Sequence, residues 1–377
     1  MTRLVLFCHS VLSDWNNGSA HFLRGIAAEL HARGTDVRVF EPREAWSVRH
    51  LVAEQGPGAL GLLAQVYPWF QPERYDWPGL DLEAAVEGAD LVLVHEWNDP
   101  ALVEALGRLR ARGGRFRLLF HDTHHRRITA PEEVRRFQLD AYDGVLAFGE
   151  VLRESYLDDG WGARAWTWHE AADARIFHPL PSVRPLHDLV WIGDWRDDER
   201  TEELRTYLLD PVRRLGLRTV VHGVRYPPRA HAELLNAGVE LAGWLSNLAA
   251  PIAFARAHLT VHVPRRSYAA FLPGIPTLRV FEALACGIPL VSAPWEDSER
   301  LFRTGEDYLL ARSGPEMERH LAAVRGDPAL RRHLSARGLE TIVARHTCRH
   351  RVDELLAFAR SLGVPVGVPA EEARATA

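Results

Sequence analysis

The chain of 377 residues contains no lysine, so arginine supplies all 45 of its fixed positive side-chain charges. Any site that binds an anion must therefore use arginine, histidine or backbone N–H groups. The 50 acidic residues leave a formal net charge of −5, which is small for this length. Proteins that bind nucleic acid usually carry an excess of basic residues, so we expect no nucleic-acid partner.

Cysteines and long apolar runs are scarce as well. Cys8, Cys286 and Cys348 are far apart and lack metal-ligand spacing, which argues against both a disulfide framework and a metal site. No segment approaches the roughly 20 apolar residues that a membrane span needs. The apolar run after Met1 is too short for a signal peptide. We therefore expect a cytoplasmic protein without a membrane span.

Two series of alternating strands and helices are predicted from short apolar runs and helical spacing. The first series has strands at 4–7, 37–40, 89–94, 116–120 and 144–148, with helices at 20–33 and 100–112. The second has strands at 188–192, 218–222, 259–263 and 289–292, with helices at 201–209, 277–286, 315–325, 328–344 and 349–362. Such alternation predicts parallel sheets covered on both faces.

A proline-rich stretch at 177–185 separates the two series and predicts a linker. We therefore predict an N-terminal Rossmann-like domain at 1–178 and a C-terminal one at 186–345. A last helix at 346–362 is expected to pack back toward the N-terminal domain, and 363–377 is expected to be a flexible tail. Ligands of such sheets bind at the carboxyl ends of the strands, so we look for function there.

The stretch 273–292 is the most informative part of the sequence. Gly274 and Pro276 predict a tight loop, and Thr277 is a good N-cap for the helix that follows. Free N–H groups at a helix start attract anions, and Arg279 would add a charged contact to phosphate. Glu282, about one turn further, can accept hydrogen bonds from two ribose hydroxyls. A solvated polar position on an amphipathic helix is the alternative for Glu282.

The run Phe281-Glu-Ala-Leu-Ala-Cys-Gly-Ile-Pro-Leu-Val resembles the Glu-Ala-x-Ala-x-Gly-x-Pro donor-binding signature of GT-B glycosyltransferases. Residues 273–308 resemble more narrowly the CgeB-like group, named for a spore maturation protein. The resemblance implies an α/β fold of GT-B architecture, with two Rossmann-like domains facing across a cleft and C-terminal helices crossing back. It also implies that Glu282 binds ribose and that Thr277, Leu278 and Arg279 bind the diphosphate.

The sequence departs from this pattern in one place. Retaining family 4 glycosyltransferases usually carry a second glutamate where this chain has Gly274, so that role cannot be carried over. Retention and inversion of the anomeric centre both stay open. The basic Arg/Lys pair of that family also lacks its lysine, and Arg196, Arg200 and Arg225 are candidate substitutes. For Arg196 and Arg200 the alternative is a plain surface charge.

Two further groups follow predicted strands of the first series. The loop Asn16–Ser19 resembles the Gly-rich loop of GT-B enzymes, so Gly18 and Ser19 are candidate ligand contacts, with a plain turn as the alternative. His121 and Asp122 resemble the strand-end histidine that contacts the donor sugar in retaining GT-B enzymes. A histidine beside an acid can also act as a general base, so this pair is predicted to be catalytic.

Other aromatic and polar residues carry weaker predictions. Asp122 with His124 and His125 is a poor arrangement for tetrahedral metal ligation, so no metal is predicted, and structural capping is the alternative. Trp244 is predicted to stack near the nucleotide base. Residues 95–99 lie at the end of a predicted strand and are expected to shape the acceptor pocket, with a buried, hydrogen-bonded histidine as the alternative.

These features predict a metal-independent glycosyltransferase of hexosyltransferase type that needs no cofactor. Its donor would be a nucleotide sugar, UDP- or GDP-linked, and its acceptor a small molecule, lipid, glycan or protein. Two alternatives stay open: a nucleotide-sugar epimerase on the same scaffold, and a non-catalytic nucleotide-sugar-binding protein. A dinucleotide oxidoreductase is disfavoured because no Gly-x-Gly-x-x-Gly follows either first strand.

Overall fold

The computed structural model describes residues 2–196 and 200–366, so most of the predicted tail, 367–377, lies outside the described residues. The chain divides into two compact units. The first comprises the chain up to His169 and the part from Cys348 onward, and the second is Glu170–Thr347. The proline-rich stretch 177–185 belongs to the second unit, because Phe177 is buried in that unit's core.

The first unit is built on a seven-stranded sheet in which every pairing is parallel. Its strands are β1 (Arg3–Phe7), β2 (Asp36–Pro42), β3 (Glu73–Tyr75), β4 (Leu91–His95), β5 (Arg117–Asp122), β6 (Gly144–Ala147) and β7 (Ala165–Thr167). The order is β3-β2-β1-β4-β5-β6-β7. The inner strands are buried on both faces, which explains their continuous apolar runs.

Helices cover this sheet. They are α1 (Ser19–Ala32), α2 (Trp46–Gln55), α3 (Leu62–Val66), α4 (Leu82–Ala85), α5 (Pro100–Ala111), α6 (Arg126–Thr129), α7 (Pro131–Val134) and α8 (Glu150–Asp158). Phe22, Leu23 and Ile26 of α1 are all at most 2% exposed, as their helical spacing predicts. Gly34, with φ of +79°, follows the end of α1.

The second unit has a six-stranded parallel sheet. Its strands are β8 (His187–Ile192), β9 (Thr219–His222), β10 (Val239–Gly243), β11 (Ala257–His262), β12 (Leu290–Ser292) and β13 (Leu309–Leu310), in the order β10-β9-β8-β11-β12-β13. Its helices are α9 (Thr201–Leu204), α10 (Asp210–Leu215), α11 (Pro228–Asn236), α12 (Ala250–Ala255), α13 (Arg266–Phe271), α14 (Leu278–Ala285), α15 (Gly314–Gly326) and α16 (Pro328–Arg345).

Helix α14 connects the neighbouring parallel strands β11 and β12. A helix in that position runs back against the direction of both strands, so its first residues lie at the carboxyl edge of the sheet. Val280, Phe281 and Leu284 are each at most 1% exposed and anchor α14 in the core. The helix start is therefore held at the edge where ligands of such sheets bind.

The last described helix, α17 (Cys348–Ser361), belongs to the first unit and packs on α1. The indole N–H of Trp168 donates to the carbonyl of Arg351 at 2.8 Å. Arg33, just after α1, lies 2.5 Å from the Asp353 carboxylate. Across the described ranges, no helix is both long enough and apolar enough to cross a bilayer.

Both sheets have a topological switch point, where the strand order changes direction. In the first unit it lies between β1 and β4, and in the second between β8 and β11. Crevices outside the carboxyl ends of such strands are the usual binding sites of open α/β sheets.

Candidate functional site

The start of α14 presents backbone N–H groups that no side chain caps. Thr277 occupies the N-cap position with φ of −72° and ψ of 153°, but the predicted capping bond from its side chain is not formed. Within the part of the chain that the structure describes, the N–H groups of Leu278 and Arg279 donate no hydrogen bond. The first N–H groups of a helix lack carbonyl partners within it. This end of α14 therefore has the character of an anion site.

Glu282 lies one turn into α14 and is 0% exposed. Glu282 is therefore not a solvated polar residue on the outer face of the helix, which was the alternative prediction. Its carboxylate pairs with the guanidinium of Arg279, whose side chain is 22% exposed. The buried carboxylate is thus held next to the first turn of α14 by a charged partner.

A buried carboxylate at the end of β8 is surrounded by three guanidinium groups. Asp194 lies 2.6 Å from Arg196 Nε and 3.1 Å from Arg265 Nη2, and it also pairs with Arg200. Burial alone would raise the pKa of Asp194, but Arg200, Arg265 and Arg196 together hold it well below its usual range. Three guanidinium groups thus converge on one buried carboxylate at this edge of the sheet.

The three arginines of this cluster differ in solvent exposure and in the number of hydrogen bonds that they make within the protein. Arg200 is 7% exposed and donates to the carbonyl of Val263 at 3.0 Å and to Asp194, so its predicted phosphate role competes with a structural one. The side chains of Arg196 and Arg265 are 21% and 17% exposed and reach solvent. Sequence analysis missed Arg265, because it lies 71 residues from Asp194. The sequence offered one indication of its role, because Arg265 follows the predicted strand at 259–263.

The loops after β8 and β9 are bound to each other. The N–H of Arg196 donates to the carbonyl of Arg225 at 3.2 Å, and both residues have left-handed backbones, with φ of 56° and 60°. A Cβ atom at Gly223 would lie 1.8 Å from the carbonyl oxygen of Gly193. Only glycine permits this approach, which brings Arg225 beside Arg196.

Trp244 follows β10 at the same edge of the second sheet. The preceding Gly243 accepts a hydrogen bond of 2.8 Å from the N–H of Gly223, which ties this loop to the loop after β9. Trp244 is half-buried, and its buried indole N–H has no hydrogen-bond partner among the residues described. The predicted base-stacking position therefore lies next to the loop that carries Arg225.

In the first unit, the loop between β1 and α1 is closed by side-chain bonds. The Asn17 amide donates to the carbonyls of Ser10 and Ser13 at 2.9 and 3.0 Å. Gly18 is exposed at the N-cap position of α1, Ser19 is the first helical residue, and no side chain caps the helix. Gly18 and Ser19 therefore lie at the start of α1, where the N–H of Ala20 donates to the carbonyl of Asn17 at 3.3 Å.

A second carboxylate shapes the same loop from β2. Glu41 is 0% exposed and accepts hydrogen bonds from the N–H groups of Val11 and Leu12 at 2.7 and 3.1 Å, and from the Ser10 hydroxyl at 3.0 Å. Burial raises the pKa of Glu41, and these bonds oppose the shift.

His121 and Asp122 end β5 but do not form a hydrogen-bonded pair. The His121 ring is 0% exposed and packs on Trp168 with ring centroids 4.8 Å apart. Burial lowers its pKa well below the usual value, so the imidazole is neutral, and neither ring nitrogen has a partner among the described residues. Asp122 accepts the Tyr156 hydroxyl at 2.8 Å and the His124 N–H at 3.2 Å. Its carboxylate is therefore held by α8 and its own loop.

Glu96, directly after β4 in the predicted 95–99 segment, belongs to a buried hydrogen-bond network that the sequence did not indicate. Its carboxylate accepts from Arg126 at 2.6 Å and from the Thr123 hydroxyl at 3.1 Å. The Thr123 hydroxyl also lies 3.0 Å from His95 Nε2. Burial and then the nearby Asp122 raise the pKa of Glu96 to about 8, although Arg126 opposes the shift. A carboxyl group that titrates near neutrality suits general acid or base chemistry.

The remaining members of the 95–99 segment are mostly structural. The Asn98 amide donates to the carbonyls of Phe7 and His95 at 2.9 and 2.7 Å. Asp99 caps α5 by accepting from the N–H of Ala101 at 2.8 Å. Only the partly exposed Trp97, under the guanidinium of Arg126 at 4.4 Å, remains as a surface for an acceptor.

Residues 2–196 and 200–366 contain no cluster of side chains suited to binding a metal ion. No group of three or more histidine, cysteine or carboxylate side chains in these ranges is placed to hold a metal ion. The rings of His124 and His125 lie against each other, with centroids 4.0 Å apart.

Comparison with protein families gives one match. Residues 200–357 match the model of a family described as glycosyl transferase-like. The match includes Arg265 and α14, and it spans less than half of the chain. A search of curated protein sequences gave no match.

Solved structures resemble the chain over nearly its full length. Sucrose-phosphate synthase from Thermosynechococcus elongatus has a TM-score of 0.67 at 14% identity and covers 97% of this chain and 100% of its own. Anabaena Alr3699/HepE, solved with UDP and glucose, has a TM-score of 0.64 at 14% identity, covering 95% and 100%. An α-glucosyltransferase solved with UDP and DNA has a TM-score of 0.66 at 10% identity, covering 95% and 99%.

These likenesses, together with the two parallel-sheet units, confirm the GT-B fold that the resemblance of residues 281–291 implied. At such low identity they concern the fold alone. What the chain does must therefore be argued from its own side chains.

Proposed function

We propose that the chain is a glycosyltransferase that takes its sugar from a nucleoside-diphosphate sugar bound to the second unit. The cluster of Arg196, Arg200 and Arg265 around Asp194 carries this proposal. It lies at the switch point between β8 and β11, at the same sheet edge as the start of α14. Guanidinium groups and helix-start N–H groups at one sheet edge are the donors that a diphosphate requires. The glycosyl transferase-like match and the UDP-bound structures of similar proteins support the same donor class.

The diphosphate would contact Arg196 and Arg265 on one side and the N–H groups of Leu278 and Arg279 on the other. Arriving phosphate would draw the Arg279 guanidinium away from Glu282. That movement would open the Glu282 carboxylate to the ribose hydroxyls. Arg279 would thus link phosphate binding to ribose binding.

The nucleotide base would lie by the loops after β9 and β10. Trp244 offers a partly exposed ring and an indole N–H that has no partner within the described residues, and Arg225 lies in the neighbouring loop. An aromatic face and polar donors are what a pyrimidine or purine ring requires. We propose UDP or GDP as the nucleotide.

During transfer, the bond between the anomeric carbon and the β-phosphate oxygen breaks, and negative charge builds on the leaving diphosphate. Fixed arginines and helix N–H groups would stabilise that charge without a metal ion. The acceptor hydroxyl must lose a proton. In the first unit Glu96 is a better candidate for this role than His121 or Asp122, because burial raises its pKa to about 8 while those two are locked in structural contacts.

The finer assignments are part of the proposal. The transferred sugar would be a hexose, and the acceptor a small molecule, lipid, glycan or protein, with no nucleic acid because the net charge is −5. The CgeB-like grouping and the relation to family 4 rest on the motif at 273–308.

A thermal-shift panel of UDP-, GDP-, dTDP- and CDP-sugars would test the proposal. A ligand that binds only the folded protein at 100 times its Kd adds about 2.7 kcal/mol of stability. We expect one nucleotide series to raise the Tm, with and without EDTA. No shift with any donor would refute the proposal.

Product analysis with the donor that binds would then separate the alternatives. Release of the nucleoside diphosphate on addition of acceptor extracts supports transfer. Conversion of the donor alone into an isomeric sugar nucleotide would indicate an epimerase. Binding with neither reaction would indicate a non-catalytic binding protein.

A further inference from the structure

The loop that leads into α14 lies against a carboxylate side chain from the loop after β12. Gly274 has φ of +84°, and a Cβ atom there would lie 2.5 Å from Glu299 Oε1 and 2.6 Å from Glu299 Cγ. The Glu299 side chain therefore fills the space that a side chain at position 274 would take. Gly274 comes just before Thr277, where α14 begins.

The loop that carries Glu299 is anchored on both sides. The N–H of Gly274 donates to the carbonyl of Glu296 at 2.7 Å. The Asp297 carboxylate accepts from the N–H groups of Leu301 and Phe302, both at 2.9 Å. These bonds fix where the loop after β12 presents Glu299.

Two carboxylates thus flank the open start of α14. Glu282 lies one turn inside the helix, and Glu299 lies beside the loop that enters it. A carboxylate repels phosphate but accepts hydrogen bonds from hydroxyl groups. A nucleoside-diphosphate sugar carries a hydroxyl-bearing ring on each side of its diphosphate. With the diphosphate at the helix start and ribose at Glu282, the second ring is the group that can use Glu299.

We propose that Glu299 is a specificity-determining residue that accepts hydrogen bonds from hydroxyls of the transferred sugar. It supplies from the 296–300 loop the carboxylate that position 274 lacks. This inference rests on the proposed function, because it assumes a nucleotide-sugar donor at α14.

Calorimetric titration with two probes tests the assignment: the nucleoside diphosphate selected by the thermal-shift panel, and the sugar conjugate of that nucleotide. Glu299→Ala should weaken binding of the sugar conjugate about 10- to 100-fold, the size expected for hydrogen bonds to a charged group. Binding of the nucleoside diphosphate should change less than about 3-fold. Glu299→Gln, which keeps the shape and one acceptor, should lie between wild type and Glu299→Ala.

Two further variants sharpen the test. Gly274→Ala would displace the Glu299 carboxylate and also strain a backbone with φ of +84°, so it should weaken binding of the sugar conjugate at least as much as Glu299→Ala does. Glu296→Gln changes an exposed side chain of the same loop and should bind both probes as wild type does.

The outcomes separate the two proposals. If wild type binds both probes and Glu299→Ala keeps the wild-type ratio of affinities, Glu299 does not contact the sugar. If wild type binds neither probe, the proposed function itself fails. Should Glu299→Ala not fold, Glu299→Gln decides alone: an unchanged ratio of affinities refutes the assignment, and a selective loss of the sugar conjugate supports it.

Discussion

The carboxyl edges of the two sheets have the same topology and opposite electrostatics. At the first edge, burial raises the pKa of the carboxyl groups and lowers that of the imidazoles, which favours neutral forms of Glu41, Glu96, Asp122, His9, His95 and His121. At the second edge the buried carboxylate of Asp194 is kept ionised by three arginines. The difference follows from the partners, because arginine does not lose its proton in proteins and imposes charge on its neighbours.

Under the proposed function, the arginines of the second edge would stabilise a charged leaving group, and Glu96 of the first edge, with a pKa of about 8, would suit proton transfer. Four experiments test this difference between the two edges.

Removing the charge of Asp194 should have the largest effect. The side chains of Asp194 and Arg200 are 7% and 8% exposed, so Asp194→Ala leaves a buried cation without its counter-ion. Breaking a buried pair in this way costs about 3–5 kcal/mol, which urea unfolding would measure. Asp210→Ala removes an exposed partner of Arg213 and should cost about 1 kcal/mol or less. Equal costs would mean that Asp194 is not a buried ionised group.

The pH dependence of stability tests the neutral edge. The pKa of Glu96 is about 8 in the folded protein and near the ordinary value of 4.5 in the unfolded chain, so the folded state holds a proton that the unfolded state releases. Its stabilising contribution is fully present below the unfolded pKa and is lost as pH rises through 8. Glu96→Gln should therefore gain stability relative to wild type between pH 5 and 9, on the order of a few kcal/mol. A difference that does not vary with pH would contradict the raised pKa.

Loss of Glu282 tests the ribose assignment. Glu282→Ala should weaken binding of the nucleoside diphosphate by about 1.5–3 kcal/mol, or roughly 10- to 100-fold in Kd. Isothermal titration with a folded variant would measure this. Glu340→Ala, which changes an exposed glutamate on α16, is the control. Unchanged affinity in folded Glu282→Ala would refute the ribose assignment and leave Glu282 with a structural role.

The smallest expected effect is on diphosphate binding, and it should distinguish the adjacent residues Arg265 and Arg266. Arg265→Ala removes a cation from the Asp194 cluster and should weaken diphosphate binding about 10-fold, or about 1.4 kcal/mol. Arg266→Ala removes a 57% exposed side chain that pairs with Glu203 and should leave the Kd within about 2-fold. If both variants bind alike, the positive charge acts only through the general field of the surface.

The sequence predicted the long and buried elements of the fold but not its edges. Amphipathic spacing indicated α15 and α16, and apolar runs indicated the inner strands. The edge strands β3 and β7 have only three residues each, too short to give a periodic signal. The helix predicted at 201–209 continues to Leu215, because a π-helical turn at Arg205–Leu209 accommodates Pro211.

The candidate site was predictable only where its residues are contiguous in sequence. The start of α14 and Glu282 were found from one motif of the second unit. Arg265 and Glu299 join that site through folding from separate strand ends, which no local pattern reports. For His121 and Asp122 sequence position predicted a place at a strand end, but it did not predict burial or the contact with Tyr156.

The close approach of Gly193 and Gly223 has a consequence for how this protein can vary. A methyl group at position 223 would overlap a carbonyl oxygen of the neighbouring loop, so any substitution must force the two loops apart. The loops carry Arg196 and Arg225, whose spacing would widen with them. The spacing of these two cations thus depends on the absence of one carbon atom at position 223.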